Sequence, residues 1–161
     1  MKIAFIDIDG TLFAPVYEKG NRLVAGLPTG PWEAYCDEKR STAYEHCEPV
    51  MPVIDFAIRL QKAEYKLKTL SAVSCKSESN AKIAHLARTG AGNLFSEFVF
   101  VGSDAEKMAF LKAFVSHIEH PEECLLIEDS YPNILEAGKL GITPIHISHI
   151  ICGIAERLIN A

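Results

Sequence analysis

The sequence predicts an α/β fold in three layers, with a central parallel sheet of about five strands and helices on both faces. Three observations carry this. Short apolar runs rich in strand-favouring residues recur along the chain, at 3–6, 66–71, 98–101, 124–127 and 143–147. Segments with apolar residues at helical spacing separate the later runs. Several runs stop abruptly at a carboxylate, a hydroxyl or a glycine, as strands do when their carboxyl ends border a ligand crevice.

Each element has its own justification. Ile3-Ala4-Phe5-Ile6 is too short for a helix and apolar throughout, which suits a parallel strand buried on both faces. Helices are expected at 50–64, 78–89, 105–119, 132–140 and 149–160. Ser103 with Asp104 and Glu106 reads as a helix start, because acidic residues favour the first turn. Pro132 suits the first turn of the next helix and Gly141 its C-terminal cap. Residues 13–49 have no clear place in a core. Pro15, Gly20, Gly26, Pro28, Gly30 and Pro31 punctuate that segment as loops. It also carries Tyr17, Trp32, Tyr35 and Tyr44, with one helix expected near 32–44. The expected organisation is a single domain over 1–161, with 13–49 as a small cap or flap within it.

Composition narrows the functional classes. Apolar content of 48% and charged content of 23% are ordinary for a soluble globular chain. The formal charge of −5 gives no basic footprint for duplex nucleic acid, yet leaves small anionic substrates open. No stretch approaches a membrane span. The N-terminus runs directly into a predicted core strand, so no signal peptide is expected. Five cysteines without regular spacing point to reduced thiols and a cytoplasmic location. Cys36, His46 and Cys47 match no common zinc spacing. His146 and His149, flanking the last strand, are expected to be partly exposed structural residues.

Chemistry concentrates at the strand ends. Asp7-Ile8-Asp9-Gly10-Thr11 follows the first strand. If strand geometry continues, Asp7 and Asp9 point to the same side. Two such carboxylates resist ionising together unless a proton or a cation lies between them. An all-oxygen set suits magnesium. Gly10 lets the backbone turn and lets a ligand approach closely. Ser71 ends the second strand and can donate to a phosphate oxygen, with Ser74 as a competing candidate. A lone lysine on a helix is usually a solvated surface residue, the reading that Lys112 takes, although Lys107, early in its helix, can also reach a phosphate as a point charge. Glu128-Asp129-Ser130 ends the fourth strand, with Asp129 a metal-ligand candidate and Glu128 a second ligand or an outer group.

These four stretches, in this order and spread over 1–146, resemble the four signatures of the haloacid dehalogenase-like (HAD) hydrolases. The resemblance implies a Rossmann-like fold whose insert after the first strand caps the site. It also implies a magnesium-dependent phosphomonoester hydrolase. In that scheme Asp7 attacks phosphorus and forms an aspartyl-phosphate, while Asp9 protonates the leaving oxygen and then deprotonates water. Magnesium would be held by Asp7, the Asp9 carbonyl and Asp129, with Glu128 as a further candidate. Thr11, Ser71 and Lys107 would bind the transferring group. Asp at position 9 favours ester hydrolysis over the family's dehalogenating branch, and the ion-pumping branch resembles Asp-Lys-Thr-Gly-Thr instead. The stretch from Leu70 through Lys107 to Asn133 resembles small deoxynucleotidase-type relatives, so a nucleotide stands beside other small phosphate esters as substrate. Two alternatives remain: a sugar-phosphate mutase, because Glu128-Asp129-Ser130 also resembles that branch, and a phosphate-binding or regulatory module without turnover.

Overall fold

The computed structural model describes residues 2–27 and 29–159. The predicted loop residue Pro28 and the predicted helix end Asn160 lie outside the described residues. A five-stranded parallel sheet forms the centre, built from β1 (Ile3–Ile6), β6 (Lys66–Ala72), β7 (Glu97–Val101), β8 (Cys124–Glu128) and β9 (Thr143–His146). Between β1 and β6 lie β2 (Phe13–Ala14), β3 (Tyr17–Lys19), β4 (Arg22–Val24), α1 (Thr29–Lys39), β5 (Glu48–Pro49) and α2 (Met51–Lys62). The remaining helices are α3 (Lys76–Thr89), α4 (Asp104–Val115), α5 (Tyr131–Lys139), α6 (Ile147–Ile151) and α7 (Ala155–Ile159).

The spatial order is β7-β6-β1-β8-β9. The chain winds outward from β1 to one edge, then returns to the other side of β1 with β8. That reversal places a topological switch point at the carboxyl ends of β1 and β8, where such sheets open a crevice. Alternation along β1 supplies both faces. Ala4 and Ile6 join a buried cluster with Val53, Phe56 and Leu60 of α2 and Ala81 and Leu86 of α3. Ile3 and Phe5 join a second cluster with Leu111 of α4 and Ala137 of α5. Phe5 meets the rings of Phe110 and Phe114 edge-on, with centroids 5.7 and 5.0 Å away.

The α4 start follows its sequence signal. Ser103 Oγ accepts from the Glu106 amide at 3.2 Å, while the Glu106 carboxylate accepts from the Gly102 amide at 2.9 Å. Orphan donors at the helix start are thereby satisfied. The single helix expected at 149–160 is instead two, α6 and α7. Gly153, at φ 69°, takes the left-handed conformation, and the Ile154 amide turns back to the His149 carbonyl at 2.9 Å. A glycine in that conformation ends a helix.

The segment after β1 is more ordered than its composition suggests. β2 and β5 pair antiparallel and draw its two ends together, while β3 and β4 form a hairpin. Two- and three-residue strands are too short for periodicity to reveal. Trp32 stacks on Tyr35 at 5.7 Å, and Tyr17 lies 4.7 Å from Trp32 and 5.8 Å from Tyr44. Tyr17, Tyr35 and Tyr44 are buried in the same cluster as β1 and α2. Most of the aromatic surface of the insert is therefore spent on packing.

Candidate active site

Sheet register assembles the site. Ile6 pairs with Ile127 on β8 and with Thr69 on β6. One residue beyond Ile6 and Ile127 stand Asp7 and Glu128, so these two carboxylates lie abreast. Ser71 sits two residues beyond Thr69, buried at the end of the neighbouring strand. Asp129 follows Glu128 at the exposed rim.

Asp7 is buried and held at both oxygens. Oδ1 accepts from the Ile8 amide at 2.8 Å, and Oδ2 accepts from Lys107 Nζ at 3.1 Å. Lys107 is itself buried and donates to Glu128 Oε2 at 2.7 Å, with Asp104 Oδ1 3.6 Å away. Burial alone would lower the Lys107 pKa, but the Asp7 and Glu128 charges outweigh it and raise it. Burial and the neighbouring Asp7 charge push Glu128 up to about 8, against the pull of Lys107.

The expectation that Asp7 and Asp9 share a side fails for a local reason. The strand ends at Ile6, and the chain closes a tight loop in which the amides of Leu12 and Phe13 both reach the Ile8 carbonyl at 3.0 Å. Asp7 then meets Lys107 from α4, while Asp9 meets Lys82 from α3, on the opposite face of the sheet. Gly10 permits the turn at φ 69°, and a Cβ there would overlap the Asp129 carboxylate. Thr11 is fully buried and its hydroxyl donates to Asp129 Oδ1 at 3.4 Å. His146 Nε2 lies 2.9 Å from the Asp129 carbonyl and steadies the same loop.

Lys82 is the residue that sequence reasoning missed. Its side chain is fully buried, and Nζ lies 2.6 Å from Asp9 Oδ2, 3.0 Å from Glu78 Oε1, 3.0 Å from Ser71 Oγ and 2.7 Å from the Ala72 carbonyl. Asp9 Oδ1 is buried with no hydrogen bond among the described residues. Burial, with the Asp7 charge beside it, holds the Asp9 carboxyl above its usual range despite Lys82. A lone lysine inside an otherwise mixed helix carries no periodic signal. Only the placement of α3 against β6 reveals it.

The carboxylates of Asp7, Glu128 and Asp129 offer oxygens within 4.8 Å of one another. Even with a proton on Glu128, the carboxylates outnumber the one ammonium of Lys107, and hard oxygen donors of this kind fit magnesium. Glu128 accepts from Lys107 and, at 3.2 Å, from the Ser130 amide, and Asp7 is likewise held at both oxygens, so Asp129, whose carboxylate accepts from Thr11 at 3.4 Å, is the least committed of the three. Asp9 contributes no side-chain oxygen to this group. Cys36, His46 and Cys47 do not converge as a ligand set among the described residues. All five cysteines are free thiols.

A doubly wound parallel sheet with acidic strand ends at its switch point defines an α/β protein whose ligand crevice lies at the carboxyl ends of β1 and β8. Its fold is that of the HAD-like hydrolases, and solved structures of that superfamily align along nearly the whole chain. No protein-family model and no curated protein matches the sequence. The D,D-heptose 1,7-bisphosphate phosphatase of Burkholderia thailandensis is 15% identical, with 89% of this chain and 76% of that one covered at a TM-score of 0.51. A HAD-superfamily hydrolase from Ehrlichia chaffeensis is 15% identical over 96% and 99%, at a TM-score of 0.54. A HAD-family enzyme from Bacteroides thetaiotaomicron, in complex with magnesium and inorganic phosphate, is 13% identical over 91% and 93%, at 0.51. Identities at this level establish the shared fold. No helix among the described residues is long and apolar enough to cross a membrane.

Proposed function

We propose that the chain is a magnesium-dependent phosphomonoester hydrolase of the HAD type, with residues 13–49 as a small cap. The observation that carries this is Asp7 itself, a carboxylate held at both oxygens beside Lys107 at the switch point of the sheet. Asp7 attacks phosphorus in line and becomes an aspartyl-phosphate. Asp9 gives a proton to the departing oxygen and then takes one from the attacking water. Ser71 and Lys107 offer donors to the phosphoryl oxygens, and Thr11 holds Asp129 in place. Magnesium, bound by Asp7, Asp129 and the Asp9 carbonyl with Glu128 beside them, would screen the negative charge that opposes attack. The fold shared with a magnesium- and phosphate-bound enzyme supports that cofactor.

The substrate is a small phosphate ester. The nucleotide reading needs a ring free to stack on a base, and the insert's aromatics pack largely on each other. The deciding experiment is phosphate release with magnesium from nucleoside monophosphates, sugar phosphates and an aryl phosphate, with Asp7→Asn as the blank. Release that the variant abolishes, while circular dichroism shows an intact fold, supports the hydrolase. Release that survives in Asp7→Asn removes the nucleophile assignment. No release from any ester by folded, magnesium-bound protein moves the reading to a binding module, and interconversion of sugar phosphates without release moves it to a mutase.

A further inference from the structure

Two buried charges on α3 have no role in that scheme. Glu78 and Lys82 lie one turn apart and pair at 3.0 Å, Glu78 almost fully buried and Lys82 completely so. Burying such a pair costs several kcal/mol in desolvation unless further polar contacts offset it. Here they are supplied. Glu78 Oε2 accepts from the amide and the hydroxyl of Ser74, at 2.8 and 2.9 Å. Tyr44, from the insert, donates to Glu78 Oε1 at 3.4 Å. Lys82 closes the chain of contacts on Asp9 and Ser71.

The two aspartates of the site are held differently. Asp7 has a backbone amide and a lysine. Asp9 has Lys82, while its second oxygen accepts nothing among the described residues. A carboxylate tied through one contact takes its orientation from that contact. The same nitrogen lies 3.0 Å from Ser71 Oγ, so it also sets the spacing between the proposed acid and the proposed phosphoryl-binding hydroxyl.

We propose that Lys82 is the positioning residue for Asp9, and that Glu78 fixes Lys82 while linking it to Tyr44 of the insert. This rests on the hydrolase reading above, in which Asp9 delivers a proton to the leaving oxygen. Lys82 acts through Asp9 and leaves attack by Asp7 to the other lysine. Its loss therefore matters most where the leaving group needs protonation.

The test compares an alkyl phosphate, whose alkoxide leaves poorly, with p-nitrophenyl phosphate, whose phenolate leaves well without help. General acid assistance is worth about 100-fold or more for the former. Lys82→Met is expected to lower kcat on the alkyl ester by about 10-fold or more relative to its effect on the nitrophenyl ester, with KM little changed, and Asp9→Asn to show the same selectivity. Glu78→Gln, which keeps its shape and its Ser74 contacts, is expected to show a smaller loss with the same selectivity, and it decides the matter alone if Lys82→Met fails to fold. Equal losses on both esters with a raised KM would make Lys82 a phosphate ligand and overturn the proposal. Unchanged rates would overturn it too. In either case wild-type activity lost in Asp7→Asn leaves the hydrolase reading standing. A wild type inert on these two and on every ester of the phosphate-release screen overturns that reading, and this inference with it.

Discussion

Gly10 joins two demands that no other residue meets together. Its φ of 69° suits glycine, and the space a Cβ would take is filled by the Asp129 carboxylate. Gly10→Ala should destabilise the protein by about 1 kcal/mol or more in urea denaturation and weaken magnesium binding in calorimetry, because Asp129 must move. Magnesium affinity left at the wild-type level would detach Asp129 from the metal. Glu128 gives a second prediction, with a definite sign. Burial beside Asp7 raises its pKa from 4.5 to about 8, so the folded chain keeps a proton that the unfolded chain releases. Its contribution to stability is complete below the unfolded value and is lost as pH rises through the folded one. The metal-free protein should therefore lose stability over about pH 5 to pH 8, and the gain in Tm on adding magnesium should grow across the same window. A gain independent of pH, or one unchanged in Glu128→Gln, would exclude Glu128 from the metal's surroundings. The sequence made these carboxylates legible because each follows an apolar strand. It left Lys82 illegible because a buried lysine on a helix resembles an exposed one.

At the scale of elements, α4 is the clearest case of local sequence fixing a functional position. The Ser103 cap and the Glu106 carboxylate set where the helix begins, and Lys107 follows in its first turn beside Asp7. Ser103→Ala should cost about 1 kcal/mol of stability by denaturant titration. It should also lower turnover, since fraying of that turn loosens Lys107; stability lost with turnover unchanged would show that tertiary contacts alone hold the lysine. The main strands were legible for the same kind of reason. Runs such as Cys124–Glu128 are buried along their whole length and end at charge. The break between α6 and α7 at Gly153 was not read because helical apolar spacing continues on either side of it. Strands β2 and β5 escaped because their pairing joins the two ends of the insert, and β3 and β4 because a three-residue hairpin is too short for periodicity to show. The divergence of Asp7 and Asp9 escaped for a related reason, since a period-two argument holds only while the strand lasts, and β1 ends at Ile6.

For the whole molecule the open issue is whether residues 13–49 fold with the sheet or as a separate flap. The contacts favour one unit. Phe13 packs edge-on against His85 of α3 with centroids 4.4 Å apart, and Ala14 and Phe13 pair with the far end of the insert next to α2. Tyr17, Tyr35 and Tyr44 belong to the buried cluster that also holds Ile6, Phe56 and Leu86. Opening the insert as a body would expose that shared surface and break the Tyr44–Glu78 contact at the same time. Trp32, the only tryptophan in the chain, stands among these rings and reports on the insert, whereas far-ultraviolet circular dichroism reports mainly on the helices around the sheet. Urea unfolding followed by the two signals should give coincident transitions, as a single cooperative unit requires. Trp32→Ala should lower that common midpoint, with a loss of about 1–2 kcal/mol because the ring is partly buried, without changing the preference among phosphate esters. A tryptophan transition preceding the dichroism transition would make the insert an independently opening flap. In that event substrate preference, and not stability, should be what Trp32→Ala changes.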